Sequence, residues 1–69
     1  MSKKVINRIK VVLAETGKSN NWLAKTMQKS PTTVSRWCTN EMQPSLETLI
    51  EVARVLDVDV SELLVKTKK

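Results

Sequence analysis

Ser30-Pro31-Thr32-Thr33-Val34-Ser35-Arg36-Trp37-Cys38-Thr39 is the stretch on which the fold turns. Ser30 is a good N-cap, because its hydroxyl can accept from one of the orphan amides of a first turn. Pro31 brings a helical φ to the first position. A helix is therefore predicted over 31–39. At 100° per residue, Thr32, Ser35, Arg36 and Thr39 share one face, while Val34, Trp37 and Cys38 fall on the opposite one. The back of this helix wants burial. Its front, small hydroxyls around one guanidinium, can approach a polar, anionic surface closely.

Upstream, only Gln28, Lys29 and Ser30 separate this helix from a second one, predicted over 20–27. Ser19 or Asn20 can cap the second helix, and Leu23, Ala24 and Met27 form its buried side. Trp22 lies off that stripe. It either folds over the edge of the core, the favoured reading, or marks a partner surface. A three- or four-residue link between short helices is the spacing of a helix-turn-helix. Earlier still, Val5, Ile6, Ile9, Val12 and Leu13 make one apolar stripe, which predicts a first helix over 4–16 closed by Gly17.

Downstream, Thr39 to Pro44 reads as a loop, with Asn40 suited to a positive φ at the end of the third helix. Ser45 caps a fourth helix over 46–56, with Leu46, Leu49, Ile50, Ala53 and Leu56 as its stripe and Val52 at the margin. Asp57 can take a left-handed position. Asp59-Val60-Ser61-Glu62 then opens a fifth short helix over 60–65, which buries Val60, Leu63 and Leu64. Residues 66–69 read as a solvated tail. The fold class is all-α: one domain, 1–69, of five short helices.

Composition bounds the function. The 69 residues carry 12 Lys/Arg against 7 Asp/Glu, a net charge of +5, with no histidine and one cysteine. The charge is uneven. Up to Arg36 the chain is +7, with Glu15 its only acid, and beyond Arg36 it is −2. A basic half that carries a polar helix face suits nucleic acid, although lysines also simply solubilise small domains. A lone cysteine without histidine excludes an intrachain disulfide and an ordinary zinc site. No catalytic constellation or glycine-rich phosphate loop is present, so neither an enzyme nor a cofactor is expected. No signal peptide or membrane-spanning run is seen, and a cytoplasmic protein is expected.

Taken together, these pieces resemble the Cro/repressor-type (lambda repressor-like, XRE-class) helix-turn-helix family over about 7–64. The resemblance is carried by Asn7-Arg8-Ile9-Lys10, Leu23-Ala24, Thr33-Val34-Ser35-Arg36-Trp37 and Pro44-Ser45-Leu46-Glu47-Thr48-Leu49. The closing run Leu56-Asp57-Val58-Asp59-Val60-Ser61-Glu62-Leu63-Leu64 completes it. It implies a compact five-helix domain whose third helix enters the major groove of double-stranded DNA. By position it implies base contacts from Thr32, Ser35 and Arg36, with Pro31 limited to apolar contact. It also implies phosphate contacts from Asn20, Lys29, Ser30, Thr33, Thr39 and Asn40.

The chain departs from the family in three places. Gln28-Lys29 stands where the family usually has glycine and an apolar residue, and Gln tolerates positive φ at a cost of roughly 1 kcal/mol. Glu41 stands in a loop that is often basic. Leu13 and Cys38 occupy positions where the family commonly pairs Arg with Glu, which reads as an apolar contact in place of an ion pair. Cys38 is then a packing residue; a redox-sensing thiol is the sharper alternative.

The implied function is a sequence-specific DNA-binding transcriptional regulator, such as a repressor, that forms a homodimer at least when on DNA. Val55, Val60, Leu64, Val65 and Met42 are the candidate dimer contacts. No membrane partner or small-molecule ligand is expected. The alternative is a protein-interaction module, antitoxin-like or adaptor, on the same fold.

Overall fold

Most of the helices begin and end on signals carried by residues at their own termini. The structure, a computed structural model, describes residues 5–66. It contains α1 (Ile9–Glu15), α2 (Asn20–Met27), α3 (Pro31–Cys38) and α4 (Leu46–Leu56), followed by a 3-10 helix at Val60–Leu63. Side-chain oxygens cap the starts. Ser19 accepts from the Trp22 amide at 3.0 Å, Ser30 from Thr33 at 3.1 Å, Ser45 from Thr48 at 3.1 Å and Asp59 from Ser61 at 2.9 Å.

The four α-helices all end in the same motif, with one residue in the left-handed region. Those residues are Gly17, Gln28, Asn40 and Asp57, with φ between 58° and 72°. In each case the amide of the next residue reaches back across six residues. Lys18 donates to the Leu13 carbonyl, Lys29 to Ala24, Glu41 to Arg36 and Val58 to Ala53, at 2.8–3.0 Å. These bonds satisfy carbonyls that a helix end would leave without partners. Gln28 thus adopts the turn geometry in spite of its Cβ. We expect Gln28→Gly to raise stability by about 1 kcal/mol, since relief of the left-handed strain outweighs the extra freedom of the unfolded chain. Thermal denaturation checks this; an unchanged or lower midpoint would mean that the strain at Gln28 does not exceed that added freedom.

The core is built by Ile9, Val12 and Leu13 from α1, Leu23 and Ala24 from α2, and Val34, Trp37 and Cys38 from α3. Leu49, Val52, Ala53 and Leu56 from α4 and Leu63 from the 3-10 helix complete it. Within it α2 packs on α3 and α4, α1 packs on α3, and the 3-10 helix bridges α1 and α4. Trp22 is half-buried against the edge of this core, with the Lys18 ammonium 4.8 Å from its ring centre. That is the covering arrangement, with a cation on the ring face. Leu13 and Cys38, the two departures from the family's ion pair, are both buried in the core.

Three expectations are corrected. The first helix, expected over 4–16, spans only Ile9–Glu15. Position 4 lies outside the described residues, while Val5 and Ile6 are exposed rather than part of the stripe. The Asn7 side-chain oxygen takes the Ile9 amide at 3.1 Å, which starts the helix there. The fifth α-helix expected over 60–65 is instead a four-residue 3-10 helix, so the domain has four α-helices. Leu64 leaves it in an extended conformation, exposed, and forms an antiparallel bridge with Asn7. The Arg8 amide donates to the Leu63 carbonyl at 2.8 Å and the Val65 amide to Ile6 at 2.9 Å. The two outer segments are thus extended because they pair with each other. Finally, α4 buries Val52 completely and exposes Leu46 and Ile50, at 77% and 50%. Two overlapping stripes share Leu49, Ala53 and Leu56, and packing against α2 and the 3-10 helix selects the one that contains Val52.

Among the described residues no helix is long and apolar enough to cross a membrane. Of the expected tail, Lys66 is described and exposed; 67–69 lie outside the described residues, as do Lys3 and Lys4.

Candidate nucleic-acid interface

Core packing holds α3 by its back. Val34, Trp37 and Cys38 are 0–7% exposed, which turns Thr32, Ser35, Arg36 and Thr39 to solvent on the front. The front forms one wall of a shallow groove lined by Pro31, Thr32, Ser35 and Arg36 from α3, Asn20 and Asn21 from the first turn of α2, and Glu41. All four candidate base contacts therefore stand together, with Asn20 facing them across the groove. A wider hollow lined by Arg8, Ser61, Glu62, Leu64, Val65 and Lys66 contains none of the candidate DNA contacts, only the candidate dimer contacts Leu64 and Val65.

Asn20 is half-buried, and its side-chain oxygen accepts from the Cys38 thiol at 3.3 Å. The oxygen end of the amide is therefore held inward, leaving the NH₂ end for the groove. Burial pushes the Cys38 thiol above its ordinary pKa, offset in part by the nearby Lys10 ammonium, so the proton it donates is retained at neutral pH.

Lys29 is exposed in the α2–α3 turn, its ammonium free to extend outward. Ser30 and Thr33 form a local pair: the Ser30 hydroxyl donates to Thr33 Oγ1 at 2.9 Å while accepting from the Thr33 amide. Two hydroxyls share one such bond, so one hydroxyl hydrogen of the pair remains to donate outward. At the other end of α3, Thr39 donates to Glu41 Oε1 at 3.1 Å. Its hydroxyl is turned toward that acid, beside Arg36.

Asn40 stands apart from the other candidates. Its side-chain oxygen accepts from the Ile6 amide at 2.8 Å, the Asn7 amide at 3.0 Å and Gln43 Nε2 at 3.0 Å, and its nitrogen donates to the Asn7 carbonyl at 3.3 Å. The residue is engaged within the fold, tying the N-terminal segment to the end of α3. Asn7 reciprocates, donating through Nδ2 to the Trp37 carbonyl at 2.9 Å and to Gln43 Oε1 at 2.7 Å. Sequence reading missed this link, because Asn7 lay inside the helix expected over 4–16 and Asn40 read locally as a loop residue. It also missed Asn21. An exposed amide one residue after a helix start gives no sign of its bearing until α2 and α3 are packed.

Comparison with known proteins bears on the same elements. A helix-turn-helix family model matches residues 9–63, from α1 through the 3-10 helix. Among solved structures, the chain is similar to a Bacteroides fragilis protein provisionally described as DNA-binding. The two are 55% identical, with a TM-score of 0.86, over 87% of this chain and 97% of that one. No curated protein sequence matches. Four α-helices in this order, the three-residue turn before α3 and the match across 9–63 together place the chain in the Cro/C1-type (XRE-class) helix-turn-helix family.

Proposed function

We propose that the chain is a sequence-specific DNA-binding transcriptional regulator that lays α3 in the major groove of double-stranded DNA. The observation that carries this reading is the groove itself. Arg36, Thr32 and Ser35 project from a helix locked by its apolar back, and the Asn20 and Asn21 amides flank them. The likeness to the Bacteroides fragilis protein supports it. Arg36 forks onto the O6 and N7 of a guanine. Thr32 and Ser35 offer hydroxyls, Thr32 its methyl to a thymine, and Pro31 an apolar edge. Asn20, Lys29 and the Ser30–Thr33 pair hold the phosphate backbone and set the register. Thr39 approaches the backbone only if its hydroxyl leaves Glu41. Asn40 acts by ordering the loop, not by touching DNA.

One module of this size spans a few base pairs, and a homodimer on a palindrome would place two α3 helices about 34 Å apart. Val55 and Val60 are packed on the core and Val65 is half-buried, so of the candidate contacts Met42 and Leu64 remain exposed. Leu46 and Ile50, one turn apart on α4, add to the exposed apolar surface.

Glu41 in the groove beside Arg36 is what favours the second reading, a protein-interaction module. Selection from random duplex DNA separates the two. A regulator enriches a motif that contains a guanine contact, repeated at a fixed spacing if the protein dimerises. An adaptor enriches none.

A further inference from the structure

The Asn20 side chain, in the groove, is held by a buried partner. The Cys38 thiol, itself 7% exposed, lies on the apolar back of α3 and reaches the first residue of α2 at 3.3 Å. An amide side chain has two ends of opposite character, an acceptor oxygen and a donor nitrogen, and both can face a ligand in turn if the group rotates freely. Here the thiol occupies the oxygen. A phosphate oxygen is a pure acceptor, so the amide meets it productively only with its NH₂ end.

We infer that Cys38 is a positioning residue for DNA binding: its S–H pins Asn20 in a donor-outward orientation, so that α2 presents NH₂, and not a carbonyl oxygen, to the phosphate backbone. This rests on the DNA-binding reading above. It explains the pairing of residue types. A purely apolar side chain at position 38 would fill the core equally well but would leave the Asn20 amide free to turn. A carboxylate there would be buried, with Leu13 standing where the family commonly has its arginine partner. The thiol packs as a small hydrophobe while offering one weak donor.

The test uses the full chain and the duplex that selection enriches, with Cys38→Ala, Cys38→Ser, Asn20→Ala and the double variant Asn20→Ala/Cys38→Ala. Thermal melts establish that each variant is folded. Cys38→Ala should weaken binding about three- to tenfold, the range for loss of one hydrogen bond. Cys38→Ser, which keeps a hydroxyl donor, should bind close to wild type. In the Asn20→Ala background the Cys38→Ala change should have no further effect on affinity. If Cys38 only packs, Cys38→Ala lowers affinity equally in both backgrounds, and the inference is overturned.

NMR of the free protein gives a readout independent of DNA. The Asn20 side-chain NH₂ resonances should shift in Cys38→Ala and stay in place in Cys38→Ser. Unmoved resonances in Cys38→Ala would show that the thiol does not orient the amide. Should wild type enrich no duplex at all, the DNA reading fails and the inference falls with it. Wild-type binding combined with equal losses in both backgrounds removes the positioning role alone.

Discussion

Asn7→Ala is expected to lower the stability of the domain by about 2–4 kcal/mol, from the loss of hydrogen bonds to buried partners, including the bond to the first amide of α1. Asn7 is 4% exposed, and one side chain serves three elements. Its oxygen takes the Ile9 amide that begins α1, and its nitrogen donates to the Trp37 carbonyl near the end of α3 and to Gln43 in the following loop. Alanine removes all three bonds and leaves the Trp37 carbonyl with the Asn40 amide alone, at 3.1 Å. In a domain of this size each kcal/mol moves the melting midpoint by about 4–8 °C, so a fall of roughly 8–32 °C is expected.

Asn7→Asp makes a sharper companion. It keeps the oxygen that takes the Ile9 amide but loses the NH₂ donor and sets a carboxylate against the Trp37 carbonyl, so it should rescue little. Val5→Ser, at a site 62% exposed, should stay within about 0.5 kcal/mol. Thermal and urea melts of the three variants decide the matter. A loss below about 1 kcal/mol for Asn7→Ala would mean that water replaces the side chain and that the link between chain start and α3 is dispensable.

Arg36→Ala is expected to leave the fold nearly untouched and to cost about 1–3 kcal/mol of binding to the selected duplex, roughly 5- to 150-fold in affinity. The side chain is exposed on the front of α3, so its removal opens no cavity. The pattern of the loss carries more information than its size. A forked contact to guanine reads one base pair, so Arg36→Ala should flatten preference at that position and preserve it elsewhere. Arg36→Lys keeps the charge but not the fork, so it should recover affinity more than it recovers specificity. Binding measured against the selected duplex and its single-base variants checks both. A uniform loss across all sequences would make Arg36 a phosphate contact instead, and no loss would remove it from the interface.

Much of the frame was legible in the chain itself, because it rests on local physics. Ser19, Ser30, Ser45 and Asp59 cap their helices through bonds that span two or three residues. The ends at Gly17, Asn40 and Asp57 follow from side chains that tolerate a positive φ. The front and back of α3 follow from helical geometry alone, so Thr32, Ser35 and Arg36 stand where periodicity placed them. Gln28 was legible as a cost, and the turn geometry persists because six-residue backbone bonds and the packing of α2 on α3 outweigh roughly 1 kcal/mol of strain.

What needed the tertiary structure was every feature made by partners far apart in sequence. Apolar spacing ran α1 back through Val5 and Ile6, but backbone pairing with Leu63 and Val65 holds that segment extended. The same pairing stops the last helix at Leu63. Leu46 and Ile50 matched the α4 stripe as well as Val52 did, and only the surfaces that α4 meets chose between them. The inward hold on the Asn20 amide by Cys38, the bearing of Asn21 on the groove and the Asn7–Asn40 clasp have no local signature. Each is a hydrogen bond or an alignment across helices, and its strength depends on burial that no window of sequence contains.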